Sequence, residues 1–406
     1  MAKVKEVLKA LGPGMIITAS FIGPGTVTSM TRAGASFEYS LLWAVVFSVI
    51  TTIVLQEMVI RLSLVTREGL GEAITELFNN KIGKFLTVWI SIVAVTLGCA
   101  AYISGDLLGT TLGVSYMLGL PEQYVAPVFG FIILIIGLMG SYKIIERLMI
   151  FLLVIMGGTF ITAMFAVKPD WGEVAKGALI PSIPTESIIM IIALIGTTVV
   201  PYNFFLHSTS VHERFGTIDK LKLARWDTVI SIVIGGIISG AILIVAGTVI
   251  GGTSVDSILD MAGPLEPILG NAAPYFISIG LFAAGFSSAL ASPMGAAATI
   301  GSFFKWKGGI ANKKFKTVFT IIIVIGITTS LLGFEPLEII MLAQALNGMI
   351  LPIISIFMLI IVNKKSLLKN HTNGLLLNII GFVVVATVTV LGLYSMYSGI
   401  NGLFDI

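Results

Sequence analysis

Long apolar runs separated by short charged clusters dominate the pattern of this 406-residue chain. Each run is about 20 residues long, which is enough for one helix to cross roughly 30 Å of hydrocarbon. The pattern therefore predicts transmembrane helices rather than the buried helices of a soluble core. We predict eleven spans, over residues 11–35, 41–62, 85–113, 123–141, 147–167, 187–213, 227–251, 273–303, 316–333, 337–362 and 374–398.

The composition also indicates that the chain lies in a lipid bilayer rather than in water. Hydrophobic residues make up 56% of the chain and charged residues 11%, which is typical of an integral membrane protein. The spans leave no room for a soluble domain, so we predict one all-α transmembrane domain over residues 1–406. The first span has no small-residue cleavage site, and we expect it to be retained.

The basic residues lie on one side of the predicted membrane. With the N-terminus in the cytoplasm, all of the 24 Lys and Arg residues except Arg32, Lys168 and Lys176 fall in cytoplasmic segments, as the positive-inside rule requires. We therefore predict a multi-pass protein of the cell membrane with its N-terminus in the cytoplasm and its C-terminus outside. The net charge of +3 follows from this topology, so we expect the lipid bilayer and no nucleic acid as a partner.

The chain offers little for catalysis or for a cofactor. Its single cysteine, Cys99, lies in the third span and cannot form an intrachain disulfide. The three histidines, His207, His212 and His371, are too scattered for a zinc cage. No phosphate-binding loop or nucleophile elbow occurs. We predict neither an enzyme nor a resident cofactor.

Proline interrupts two spans at corresponding places. Pro24 lies in "FIGPGT" of the first span and Pro201 in "TTVVPYNFF" of the sixth. Because proline lacks a backbone donor, each helix should kink or unwind there. Matching breaks predict an inverted repeat, with repeat one over 11–167, repeat two over 187–362 and an extra helix over 374–398. Unpaired backbone is tolerated at membrane depth where it lines a cavity, so we predict a binding site at the midplane.

Three motifs follow one another in the first, sixth and eighth spans. They read "GPGMIITASFIGPGTVTSM", "LIGTTVVPYNFFLHSTSV" and "LFAAGFSSALASPMG". Together they resemble the Nramp family of divalent-metal transporters, and the similarity extends over nearly the whole chain. The resemblance implies a LeuT-type fold, a 5+5 inverted repeat with broken first and sixth helices, and a divalent metal ion as the transported partner. We expect a monomer.

The departures from the family pattern fall on the metal ligands that the resemblance implies. The first-helix break of the family reads Asp-Pro-Gly-Asn, and here residues 23–26 read Gly-Pro-Gly-Thr. The sixth-helix break reads Met-Pro-His, and here residues 200–202 read Val-Pro-Tyr. The family's first sixth-helix carbonyl ligand falls at Thr197. Its third-helix Asp, part of a proton route, corresponds to Ile103 and its first sixth-helix His to Tyr202, although the later His survives as His207 and a nearby acid as Asp106. Proton coupling of the family type is therefore not expected.

Loss of the soft ligand favours a hard ion. Thioether sulfur suits Mn, Fe and Cd, whereas hydroxyl, amide and carbonyl oxygens suit Mg²⁺. Mg²⁺ gives up its waters reluctantly, and short side chains leave room for a hydrated ion. This pattern resembles the Nramp-related magnesium transporters, with Mn²⁺ as a second candidate ion. The predicted site comprises Gly23, Gly25, Thr26, Thr197, Val200, Tyr202, Asn203, Gln344 and Asn347, with Thr26 and Thr197 next to the metal through a carbonyl or a water.

A dication also needs negative charge, and neither break contains a carboxylate. The candidate sources of charge or proton carriers are Glu57, Asp106, His207 and Glu213. Glu57 lies four residues before Arg61, so a helix-end ion pair is the alternative. The alternatives for Asp106 and His207 are hydrogen-bonded packing and interior hydrogen bonding.

Two other functions fit the same pattern. Positive half-helix ends can bind a carboxylate, which suits a symporter of amino acids or organic anions. A relaxed site also suits a non-transporting, Nramp-like sensor. Our leading prediction is a secondary-active or facilitated carrier of largely hydrated Mg²⁺, driven by the membrane potential and without proton coupling.

Overall fold

A computed structural model describes residues 11–139, 141–252 and 270–404, and within these ranges the regular structure is entirely helical. Nine helices of the described chain are long and apolar enough to cross a membrane. The shorter apolar helix over Gln123–Met139 and the interrupted first span complete a set consistent with the eleven predicted spans. Lys3, Lys5 and Lys9, which the predicted topology places in the cytoplasm, lie outside the described residues, as do Asp256, Asp260 and Glu266 between the seventh and eighth spans.

The helix bounds follow the predicted spans. In chain order the eleven spans are Pro13–Phe21 with Pro24–Phe37, Leu42–Thr66, Lys81–Leu118, Glu122–Met139, Tyr142–Ala166, Ile188–Thr198 with Pro201–Phe215, Leu221–Val249, Ala273–Phe303, Lys313–Leu331, Pro336–Val362 and Leu375–Phe404. Short helices over Leu70–Thr75, Trp171–Leu179 and Lys365–Leu368 lie in connections.

The third span is longer than predicted at both ends. Asn80 caps its start by accepting a hydrogen bond from the Gly83 N–H at 2.7 Å. Gly119 ends it in the left-handed conformation, with a φ of 66°. Capping chemistry, rather than the edge of the apolar run, therefore sets the ends of this helix.

The two breaks have the same backbone geometry. In the first span, Ile22 has a ψ of 76° and Gly23 is extended before Pro24 starts the second half. In the sixth span, Val199 has a ψ of 82° and Val200 is extended before Pro201 starts the second half. Each proline occupies the first turn of a helix, where its missing N–H would have no partner anyway. The predicted breaks are confirmed at the predicted residues.

A buried carboxylate holds the start of the first span. Asp227 of the seventh span accepts hydrogen bonds from the Gly12 N–H at 2.9 Å and the Gly14 N–H at 2.7 Å. The first N–H groups of a helix have no partner within the helix, and a negative charge is favourable there. Asp227 thus fastens the N-terminal end of the first span to the seventh.

Small residues let the spans approach closely. A Cβ added to Gly113 of the third span would lie 2.5 Å from the backbone oxygen of Ser278 in the eighth span. A Cβ added to Gly34 would overlap the backbone oxygen of Leu243 in the seventh span. Since lipid supplies little hydrophobic drive between helices, such close contact is a main source of their association. The third and eighth spans are consequently in close backbone contact.

The close contact at Gly113 predicts a selective loss of stability. Gly113→Ala places a methyl group against fixed backbone, and overpacking of this kind costs about 1–3 kcal/mol. Gly158→Ala is the matched control, because nothing lies within 4 Å of a Cβ at that helical position. Thermal unfolding in detergent should show a lower midpoint for Gly113→Ala alone. Equal midpoints for the two variants would contradict the packing described.

The topology predicts the side from which three loops can be labelled. Cysteines at Asn79 and Lys307 should react with an impermeant thiol reagent only after permeabilisation, and a cysteine at Lys176 should react in intact cells. All three positions are exposed, whereas the native Cys99 is buried and should stay silent. Labelling from the opposite side at any one of them would overturn the orientation.

Candidate ion-binding site

The two breaks meet through a pair of threonines. The hydroxyl oxygens of Thr26 and Thr197 are 2.7 Å apart. The Thr26 hydroxyl also donates to the carbonyl oxygen of Phe21, one of the last carbonyls before the first break. Side chains therefore satisfy backbone groups that the interrupted helix cannot pair by itself.

The tenth span covers the first break through an amide. The side chain of Gln344 lies against Gly25 so closely that an added Cβ there would overlap its amide nitrogen. Its amide oxygen accepts a hydrogen bond from the Tyr102 hydroxyl at 2.7 Å. Asn347, one turn further along the tenth span, donates its amide to the same hydroxyl. Tyr102 thus links both predicted amides of the tenth span to the third span.

The start of the second half of the sixth span contacts the end of the first half of the first span. Ser20 donates a hydrogen bond to the side-chain oxygen of Asn203 at 2.7 Å. The Tyr202 hydroxyl donates to the Ser20 carbonyl at 3.3 Å, and its ring meets Tyr102 edge to face. The side-chain nitrogen of Asn203 has no hydrogen-bond partner among the described residues. It is an unused buried donor beside the breaks.

A carboxylate from the third span reaches the first break. A Cβ added to Gly23 would lie 3.1 Å from Oδ1 of Asp106 and 2.8 Å from the hydroxyl oxygen of Ser288. Ser288 and Ser292 of the eighth span donate hydrogen bonds to Oδ2 of Asp106, at 2.8 Å and 3.2 Å. The space beside Gly23 is therefore occupied by Asp106 and Ser288.

The whole arrangement is closed. The side chains at the breaks and those that cover them are all buried, with at most 4% of their surface exposed. Val200 is buried at the start of the second half of the sixth span. Ile103 faces elsewhere, because it packs against Gly326 of the ninth span. The structure thus brings the nine predicted site residues around the two breaks, in a conformation closed to both sides.

The other predicted charge carriers have different surroundings. The Glu57 carboxylate pairs with Arg61 at 3.2 Å and with Arg225 at 2.6 Å, so its charge is already balanced. His207 is buried, with Nδ1 2.8 Å from the Gln56 side-chain oxygen and Nε2 without a partner among the described residues. Of the four groups, Asp106 is the one that contacts a break.

Glu213 lines a cavity of about 620 Å³ near the predicted cytoplasmic ends of the helices. The same cavity is lined by Glu68, Glu72 and Lys305. Glu72 pairs with Lys305 at 3.3 Å, and this contact raises the pKa of the Lys305 ammonium. Burial raises the pKa of Glu68 in the loop beside them. The cavity carries both signs of charge and differs from the closed arrangement at the breaks.

Sequence reasoning missed Tyr102, Ser288 and Ser292. Two spacings could have indicated them, because Tyr102 and Asp106 are four residues apart on the third span, as are Ser288 and Ser292 on the eighth. Residues four apart lie on one helix face. The sequence could not say that these two faces meet at the first break. Among the described residues, no three His, Cys, Asp or Glu side chains converge as a metal cage.

Comparison with known proteins identifies the family. The sequence profile described as "Natural resistance-associated macrophage protein-like", which defines Nramp, matches residues 14–398. The chain therefore belongs to the Nramp family of multi-pass membrane proteins.

Similar individual proteins support this assignment. The chain is 28% identical to the divalent metal cation transporter MntH of Caldanaerobacter subterraneus subsp. tengcongensis, over 98% of this chain and 95% of that protein. It is also 28% identical to MntH of Clostridium acetobutylicum, over 98% and 93%. The crystal structure of the Eremococcus coleocola manganese transporter superposes with a TM-score of 0.83 at 21% identity, over all of this chain and 89% of that one. The predicted LeuT-type fold is confirmed.

Proposed function

We propose that this protein is a divalent-cation carrier that takes Mg²⁺, largely hydrated, at the two helix breaks, with Mn²⁺ as a weaker substrate. Membership of the Nramp family supports the class of substrate, and the names of the MntH relatives point the same way. The preference for Mg²⁺ rests on the side chains of this chain.

One observation supports the preference for Mg²⁺. The groups at the breaks that can contact an ion or its waters are hydroxyls and amides. The hydroxyls of Thr26 and Thr197 meet there, and the amides of Asn203 and Gln344 lie beside them. Val200 offers no sulfur at the position where the resemblance places one. Hard oxygen donors suit Mg²⁺, and amides and hydroxyls can hold the waters that this ion retains.

Transport requires the closed site to open to each side in turn. The hydrogen bond between Thr26 and Thr197 and the cover that Gln344 places over Gly25 are contacts that an arriving ion would replace. Discontinuous helices allow this, because their halves can tilt separately about the break. We therefore assign the structure to a closed stage of an alternating-access cycle.

Uptake without proton coupling is supported by the residues of the breaks themselves, which include no carboxylate or imidazole. Asp106 reaches the first break from the third span, and the internal pH recorded in the liposome test reports whether it carries protons. Tyr202 donates to the Ser20 carbonyl and Ile103 packs on the ninth span, so neither provides a proton acceptor. A membrane potential is worth about 2.3 kcal/mol per charge per 100 mV, which suffices to drive a dication inward.

Purified protein in liposomes tests this proposal directly. Under an inward-negative potential, we expect Mg²⁺ uptake that exceeds Mn²⁺ and Ca²⁺ uptake, with no acidification of the lumen. Empty liposomes and liposomes without a potential are the controls. Stoichiometric acidification would contradict uncoupled transport. Transport of an amino acid without any effect of Mg²⁺ would favour the symporter, and absence of all transport would favour the sensor.

A sulfur ligand should reverse the ion preference. Val200→Met places a thioether at the sixth-helix break, and soft sulfur favours Mn²⁺ and Cd²⁺. We expect the ratio of Mn²⁺ to Mg²⁺ uptake to rise by roughly tenfold, or about 1.4 kcal/mol. Val200→Leu is the matched control, since it adds similar volume without sulfur. An equal change of selectivity in both variants would show that size, and not ligand chemistry, sets the preference.

A further inference from the structure

We infer that Asp106 supplies the negative charge of the ion site, binding the cation across the first helix break from the third span. This inference rests on the proposed function and adds the residue that makes a dication tolerable at membrane depth. It also changes the element that provides the carboxylate, since the break itself has Gly23 where the resemblance places an Asp.

Geometry carries the first step. Oδ1 of Asp106 lies 3.1 Å from the position that a Cβ on Gly23 would take. A carboxylate built on residue 23 would therefore extend into the space that the Asp106 carboxylate already fills. The Asp106 carboxylate therefore lies on the side of the break where a carboxylate on residue 23 would lie, although it belongs to the neighbouring third span.

Close packing places the third span, which carries Asp106, beside the first break. Gly109 lies three residues after Asp106 and faces the ring of Pro24, where an added Cβ would overlap the ring. Positions three apart share a helix face, so the contact at Gly109 brings the Asp106 side chain to the break. Gly285 of the eighth span similarly packs against Thr110. The third and eighth spans are thereby held together around Gly23.

The two serines orient the carboxylate. Ser288 and Ser292 both donate to Oδ2, at 2.8 Å and 3.2 Å. Oδ1, the other oxygen, is the one nearest Gly23. Hydrogen bonds to one oxygen fix the plane of a carboxylate ligand, as partners in the outer shell of metal sites do. The serines act as positioning residues, and Oδ1 is the ligand.

A purely structural role explains the arrangement less well. A carboxylate is costly at membrane depth and is usually paired there with a cation or placed in a functional pathway. Glu57 shows the paired case, with two guanidinium groups around it. The hydrogen-bond donors that the structure shows for Asp106 are the neutral hydroxyls of Ser288 and Ser292. One carboxylate with neutral oxygens around it also matches the way Mg²⁺ is usually bound.

The test measures Mg²⁺ binding by calorimetry on the purified full chain, with uptake in liposomes as a second readout. Asp106→Asn should weaken Mg²⁺ binding by more than about 100-fold, because loss of an outer-shell partner alone typically costs 10–100-fold. Ser288→Ala should weaken it by roughly 10-fold. Ser287→Ala is the matched control, since Ser287 is equally buried and donates to Ala284 of its own helix.

The most decisive experiment moves the carboxylate from Asp106 of the third span to residue 23 of the first span. Asp106→Ala with Ser288→Gly removes the carboxylate and clears the space beside Gly23, and it should bind no Mg²⁺. Adding Gly23→Asp to that pair should restore binding to within about 10-fold of the wild type, a recovery that loss of packing alone would not permit. Thermal unfolding and elution volume report on folding for every variant.

The outcomes distinguish a failure of the proposed function from a failure of the role assigned to Asp106. A wild type that neither binds nor carries Mg²⁺ would overturn the proposed function, and the inference with it. A wild type that carries Mg²⁺ together with an Asp106→Asn variant that binds it equally well would overturn only the role of Asp106. If Asp106→Asn does not fold, equal Mg²⁺ affinity of Ser288→Ala and Ser287→Ala would overturn that role instead.

Discussion

A helix that stops at membrane depth leaves backbone groups that lipid cannot hydrogen-bond, and this constraint shapes the centre of the protein. Each unsatisfied group in hydrocarbon would cost several kcal/mol. Thr26 therefore donates to the Phe21 carbonyl, and Tyr202 donates to the Ser20 carbonyl. The prolines start the second halves where no backbone donor is needed. The same groups that pair with the interrupted backbone form the polar lining of the proposed ion site.

Charge imposes the second constraint. A carboxylate in the membrane needs partners, and Glu57 and Asp106 find them differently. Glu57 is balanced by Arg61 and Arg225, which makes a stable structural element with no charge to spare. Asp106 receives neutral hydroxyls from the eighth span. Hydroxyls orient a carboxylate without supplying a countercharge, and this difference is the basis for assigning Asp106 to the proposed ion site.

Close packing makes that difference possible. Glycines at the contacts of the third span bring it against Pro24 and against the eighth span. With larger residues there, helix separation would grow and Asp106 could not reach the space beside Gly23. The closed site thus depends on van der Waals contact between backbones, which is the usual basis of helix association in lipid. Sub-ångström changes in this packing would therefore alter the contacts at the first break.

The sequence by itself determined that the protein lies in a lipid bilayer, that it is all-α, where its two helix breaks fall and which residues line them. Apolar run length and proline chemistry are local properties, so the positions of Pro24 and Pro201 sufficed for the broken helices. Only the tertiary structure decided which of the acids reaches a break. Asp106, Ser288 and Gly23 are far apart in the chain, and their meeting depends on how three helices rotate and approach one another. No local pattern encodes that rotation, because it results from the fit of many small residues at once.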